Sequence, residues 1–209
     1  MIDFRKKTKY NMIKEKEFSV IILSAGKSER MGTPKPALKY NESQTFIEHI
    51  CFEYQQFDCK EIIIVLNKEN HTFLKNINIK LPSNCKIAIN SHPEWHRFYS
   101  LKTGIKSLKE KNSVFVHNVD NPFVNQEVLK ELLNHSDKAD YIVPEFEGKG
   151  GHPFLLSPKI VLEITQTNKN EMHLKDFLNQ FTKIKVPVND LNILTNINNF
   201  NDYTKLFPF

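Results

Sequence analysis

No apolar stretch in this 209-residue chain is long enough to span a bilayer, which argues against a helical membrane protein. The first seventeen residues, MIDFRKKTKYNMIKEKE, lack the apolar centre of a secretory signal. They are expected to form a polar arm ahead of one domain over 18–209, with Met12 as a second candidate start. Cys51, Cys59 and Cys85 are odd in number and show no CxxC spacing, so neither a disulfide framework nor a zinc site is expected. Reduced thiols and a cytoplasmic location are the corresponding expectation. There is no RNP motif, no zinc-finger spacing and no long basic helix, which argues against nucleic acid as the partner. Internal repeats and Pro/Gly/Ser linkers are missing as well, so one domain is the economical reading. Oligomeric state is not written in the residue types.

What is present is an ordinary globular composition, 40% hydrophobic and 25% charged, with a net charge of +5. That mild excess of cations suits an anionic small molecule as well as nucleic acid. Near-continuous apolar runs at 18–23, 61–66, 85–89, 113–117, 140–144 and 183–188 have the length and composition of strands buried on both faces. Helical spacing fills the segments 45–57, 99–110 and 125–135. In the last, Val128, Leu129, Leu132 and Leu133 share one face and Asn125 stands at the N-cap. This alternation predicts an α/β fold with a mostly parallel, twisted sheet and helices on both faces. The stretch 145–156 interrupts it and is expected to form a β-hairpin excursion, with Gly148, Gly150 and Gly151 supplying the turns.

In an open parallel sheet, ligands sit beyond the carboxyl ends of the strands. Three polar features fall there: the loop after Leu23, the HNVDNP segment after Val116, and the Gly-rich excursion. The loop reads LSAGKSERMGTPK. Its "GKS" is not a Walker A motif, because the position that must be Gly is Ile21. It is not a dinucleotide fingerprint either, because Gly26 is followed only by Gly32. Gly26 allows close approach of the backbone to a ligand, and backbone N–H groups in such a loop can bond phosphate oxygens. Arg30 adds a planar donor fork and Lys35 a mobile charge. On residue types alone, a solvated βα turn accounts for the loop equally well.

The whole string is more specific. Leu23, Gly26, Ser28, Arg30, Met31, Gly32 and Lys35 match the LxxGxSxRMGxxK signature, so the chain resembles the MobA-like nucleotidyltransferases. That group includes molybdenum cofactor guanylyl- and cytidylyltransferases and, more distantly, the cytidylyltransferases of isoprenoid synthesis. The resemblance implies a single-domain, Rossmann-like fold of the nucleotide-diphospho-sugar transferase type. It also implies that Leu23, Ser24, Ala25, Gly26, Lys27, Ser28 and Gly32 wrap the triphosphate of an NTP, with Arg30 and Lys35 neutralising it.

Other segments match in the same order. WHRFYSLKTGIKSL is similar to the part that shapes the base and ribose pocket, carried by Ser100 and Gly104, although the usual Gly-Met is replaced by Arg97-Phe98. A helix N-cap is the other role open to Ser100. VHNVDNPFV is similar to the DxPxV element, which makes Asp120 the implied Mg²⁺ ligand. GKGGHPFLL resembles the Gly-His-Pro element that lies near the acceptor in the cytidylyl branch, carried by Gly151 and His152. The C-terminal TNINNFNDY departs from the acidic cytidylyl pattern: Asn196 and Asn198 stand at its two leading acidic positions, and Asn196 is the weak second metal candidate. Asp202 keeps the last acidic position as a helix cap.

The implied chemistry is attack by a phosphorylated small molecule, molybdopterin first among them, on the α-phosphorus of CTP or GTP. Arg30, Lys35 and Asp120 are the expected catalytic residues. Ala25 and His152 favour CTP. A sugar phosphate, phosphocholine or another alcohol phosphate is the alternative acceptor, and a nucleotide-binding module without transfer activity is the alternative class.

Overall fold

The computed structural model describes residues 16–28 and 31–208. Most of the polar arm, at 1–15, and the predicted site residue Arg30 lie outside the described residues. The apolar runs form the strands expected of them: β1 (Phe18–Ser24), β2 (Ile62–Leu66), β3 (Cys85–Ile89), β4 (Ser113–Asn118), β5 (Tyr141–Phe146) and, after two short strands, β8 (Lys183–Pro187). The short ones, β6 (Lys149–Gly150) and β7 (Phe154–Leu156), belong to the excursion. The sheet runs β3-β2-β1-β4-β7-β5, with β8 parallel to β5 and β6 antiparallel to its end. Pairs β3-β2, β2-β1 and β1-β4 are parallel, so the polar ends of β1, β2 and β4 share one edge.

Seven α-helices are described: α1 (Phe46–Gln56), α2 (Lys68–Asn76), α3 (His96–Ser107), α4 (Gln126–Asn134), α5 (Pro158–Gln166), α6 (Leu174–Leu178) and α7 (Phe200–Leu206). Strand alternation sends Val20, Ile22, Ile62 and Ile64 to one face, where they meet Phe46 and Ile50 of α1 and Leu129 of α4. Ile21, Leu23, Ile63 and Val65 point to the other face and pack on Leu101 and Ile105 of α3 and Ile160 of α5. Each of these fully buried aliphatic side chains contributes about 1.5–3 kcal/mol relative to exposure. Helix starts follow their caps. Thr45 and Glu48 form a reciprocal capping box on α1, and the Asn125 side chain accepts from the Glu127 N–H on α4.

Several expectations are corrected. Strands β3 and β8 are not buried on both faces; they form sheet edges and expose residues such as Ile89 and Lys183. Helix α3 starts at His96, so Ser100 lies inside it rather than at its N-cap. Gly104 is a packing residue: a Cβ there would lie 2.6 Å from Cγ2 of Ile21 and 2.9 Å from Cγ2 of Val65, so its absence lets α3 sit close on β1 and β2. Of the three hairpin glycines, only Gly148, at φ +80°, makes the turn, together with Glu147 at φ +48°.

The hairpin's return strand is interrupted in an informative way. Ile142 pairs with Leu155 and Glu145 with Gly150, so three steps along β5 answer to five along the return. The two extra residues fall within 151–153 and form a bulge, the device that re-aims a side chain out of a ladder. His152 is at its centre.

Candidate active site

The loop after β1 is held from behind. Asn67, which caps α2, donates from Nδ2 to the Ala25 carbonyl at 3.0 Å, and Asn70 Nδ2 donates to the carbonyls of Ser24 at 2.9 Å and Gly26 at 3.1 Å. Both asparagines are buried, so the loop's carbonyls are engaged away from the open cleft. Ser28 then turns the chain at φ +53° and its Oγ accepts from the Lys35 N–H at 3.2 Å. This closes the loop onto the short 3-10 turn Lys35–Ala37. Asn67 and Asn70 are supports of the loop that sequence reasoning missed; their only local signal is an Asn pair spaced i,i+3 after a strand.

The end of β4 forms the opposite wall. His117 is fully buried, and its Nε2 lies 2.7 Å from the Asn121 carbonyl while Nδ1 lies 3.1 Å from the Tyr54 hydroxyl. A carbonyl only accepts, so Nε2 carries the proton and Tyr54 donates to Nδ1. Burial, reinforced by nearby His152 and His49, depresses its pKa to about 3 against the opposing Asn121 bond, so the ring stays neutral. It braces the turn that carries Asp120. The carbonyl of Asp120 accepts from the Ile197 N–H at 2.7 Å, which ties the turn to the C-terminal segment.

Between these walls lies a cleft of about 520 Å³, lined by Leu23, Ser24, Ala25, Gly26, Lys27, Ser28, Lys35, Ser100, Asn118 and Asp120 among others. Lys35 Nζ is 3.5 Å from Oδ2 of Asp120, with side chains only 15% and 28% exposed. Oδ1 of Asp120 is buried without a hydrogen-bond partner. Ser100 faces the cleft with its Oγ accepting from Asn90 Nδ2 at 2.8 Å. Gly32 and Gly104 are not among the lining residues. At the C-terminal side the prediction shifts by two residues: Asn198 lines the cleft and Asn196 does not. The two flank Ile197, whose side chain is buried in the core. Asp202 caps α7 as expected, accepting from the N–H groups of Asn198 and Asn199.

A second cleft, of about 660 Å³, adjoins the first; His96 and Arg97 line both. His96 has φ +63° and ψ −172°, a conformation normally left to glycine, and its ring lies 4.8 Å from that of His173. His152 belongs to the second cleft and reaches back to the first through Asn118, whose Nδ2 donates to Nε2 at 2.9 Å. The imidazole proton is therefore on Nδ1, which is buried and has no partner. Burial, with the positive charge of Arg97, lowers the pKa of His152 to about 4 in spite of Asp120. Gly151 also lines this cleft, but its lack of a side chain serves packing: a Cβ would strike the carbonyl of Ile193, to which the His152 N–H donates at 2.8 Å.

The three cysteines are free, and no helix among the described residues is long and apolar enough to cross a membrane.

The family profile of the MobA-like NTP transferase domain matches residues 20–184. A 2-C-methyl-D-erythritol 4-phosphate cytidylyltransferase of Fusobacterium nucleatum is 28% identical over 123 residues, covering 57% of this chain and 52% of that protein. A probable molybdenum cofactor guanylyltransferase of Natranaerobius thermophilus is 30% identical over 133 residues, covering 62% of this chain and 61% of that one. The chain spans about half the length or less of the first curated relatives it matches. Among solved structures, the 4-diphosphocytidyl-2C-methyl-D-erythritol synthase of Anaerococcus prevotii shares the fold with a TM-score of 0.71 at 17% identity, covering 94% of this chain and 96% of that one.

Proposed function

The chain belongs to the MobA-like NTP transferase domain family, and from that membership we propose that it transfers a nucleotidyl group from an NTP to a phosphorylated small molecule, releasing pyrophosphate. The observation that carries this reading is the pairing of Lys35 and Asp120 across the first cleft, with one carboxylate oxygen buried and unpartnered. An anionic substrate is drawn to the lysine, and a hard cation suits the free oxygen.

In this proposal the triphosphate lies along 24–28, where loop N–H groups and Lys35 bind its oxygens. Arg30 is assigned to the same task on the family signature alone. The acceptor's phosphate oxygen forms a bond to the α-phosphorus while the bond to the bridging oxygen breaks and pyrophosphate leaves. A phosphate monoester is already a competent nucleophile, so alignment and charge stabilisation account for the catalysis. The donor set fits Mg²⁺: Asp120 Oδ1 and the Asn198 amide would hold it, with the substrate completing the shell, and no group of three His, Cys, Asp or Glu suited to a more fully protein-bound metal occurs among the described residues. Bound there, Mg²⁺ would neutralise charge on the transferring and leaving phosphates. We assign CTP ahead of GTP from Ala25 and His152, and molybdopterin or an alcohol phosphate as the acceptor.

The test is pyrophosphate release by the full chain with Mg²⁺, each NTP in turn and a panel of phosphate monoesters that includes molybdopterin and 2-C-methyl-erythritol 4-phosphate. Release with one NTP–acceptor pair, abolished in Lys35→Ala and Asp120→Ala with the circular dichroism unchanged, is the expected result. NTP binding without release from any pair would instead favour a nucleotide-binding module, the outcome that an amide at position 198 makes worth testing.

A further inference from the structure

The second cleft differs in charge from what a single acceptor phosphate requires. Its floor is the face of the sheet edge where β8 lies beside β5, with Tyr141 opposite Lys183 and Val143 opposite Lys185. The same alternation sends Ile184 and Val186 to the core face, so both lysines project onto the cleft side. Helix α6 forms the far wall and adds Lys175. Lys185 is paired with Glu145 at 3.0 Å, whereas no ion pair engages Lys175 or Lys183 among the described residues. No acidic side chain lines the cleft.

The cations are arranged in two places. Arg97 stands at the boundary with the first cleft, beside Asn118 and the unpartnered Nδ1–H of His152. Lys175 and Lys183 line only the second cleft, and the apolar surfaces of Tyr141, Val143 and Leu178 belong to that same cleft. A phosphate that attacks in the first cleft must sit at the boundary, where Arg97 and His152 can meet it. The lysines are then left for a different part of the acceptor.

Resting on the reading of the first cleft given above, we propose that the acceptor carries two anionic groups on an apolar or aromatic body, the nucleophilic phosphate at Arg97 and His152 and a second phosphate or carboxylate at Lys175 and Lys183. These two lysines are specificity residues. They bind the acceptor's remote end and leave the NTP untouched.

The test uses calorimetric titration of the full chain, without nucleotide and at physiological salt, with phenyl phosphate, 4-carboxyphenyl phosphate and 1,4-phenylene bisphosphate. The doubly anionic probes are expected to bind about tenfold more tightly than phenyl phosphate, the worth of one charge-assisted contact. Whether carboxylate or phosphate is the preferred second anion is read from the two probes. Lys175→Ala/Lys183→Ala should erase that advantage, while Lys35→Ala, which removes a cation of the first cleft only, should keep it. The thermal shift produced by NTP and Mg²⁺ should be the same in wild type and the double variant. Equal affinity for all three probes, no binding of any, or an advantage that survives the double variant would overturn the proposal and leave the lysines as the solvated face of an edge strand. Failure of every NTP to shift the melting temperature would count against the nucleotidyl-transfer reading, and the probe comparison would still stand or fall by itself.

Discussion

The two clefts are built on opposite plans. The first sits where parallel strands β1 and β4 end, and its walls are backbone turns held from behind by buried side chains: Asn67 and Asn70 on one side, His117 and Tyr54 on the other. The second sits on the open edge of the sheet, and its charge comes from long, exposed lysines on β8 and α6. The difference teaches where precision resides. A turn braced by buried hydrogen bonds presents its groups in one geometry, whereas a lysine on an edge strand offers charge without a fixed position.

Mutations in the two clefts must therefore fail differently. Asp120→Ala should lower pyrophosphate release by about 100-fold or more whatever acceptor is used, as expected when a principal charge-stabilising group is lost. Lys183→Ala should instead raise KM for the acceptor and leave kcat near its original value, which steady-state kinetics separates.

Acid should damage the braces before it touches the lysines. His117, His152 and His49 are held neutral, with pKa values near 3, 4 and 4, below the ordinary 6.5. The unfolded chain therefore binds protons first. Stability is full above pH 6.5 and falls as pH drops toward 4, by about 1.4 kcal/mol per pH unit for each such histidine. Urea melts between pH 7 and 4.5 measure this, and His117→Gln should flatten the slope.

Two glycines separate binding from packing. Gly104→Ala forces a methyl onto Ile21 and Val65 and should cost about 1–3 kcal/mol, read as a lower melting temperature with nucleotide affinity retained. Gly26→Ala meets nothing within 4 Å and should leave stability within about 0.5 kcal/mol while weakening the NTP-induced thermal shift. Tyr54→Phe removes one buried hydrogen bond to His117 and should cost about 1 kcal/mol in a denaturant titration.

Legibility follows the same division. The apolar runs at 18–23, 61–66 and 113–117 became β1, β2 and β4 within a residue, because a central strand must be apolar on both faces. The runs at 85–89 and 183–188 also became strands, but their lysines and exposed isoleucines mark edges that local pattern did not distinguish from the interior. Ser24–Ser28, Lys35 and Asp120, singled out because a turn's chemistry is carried by consecutive residues, all line one cleft. Gly104, Asn196 and the turn roles given to Gly150 and Gly151 were misread for one reason: what a small or polar side chain does depends on what packs against it.

The order of strands and helices, the signature of the loop after β1 and the family itself were determined by the sequence alone, since periodicity and short motifs are properties of neighbouring residues. Only the tertiary structure decided that Asn198 rather than Asn196 lines the cleft with Asp120, that a two-residue bulge delivers His152 to the boundary of the clefts, and that Lys175 and Lys183 line one cleft. Those choices join residues tens of positions apart, and register, bulge and edge are settled when the sheet closes and not before.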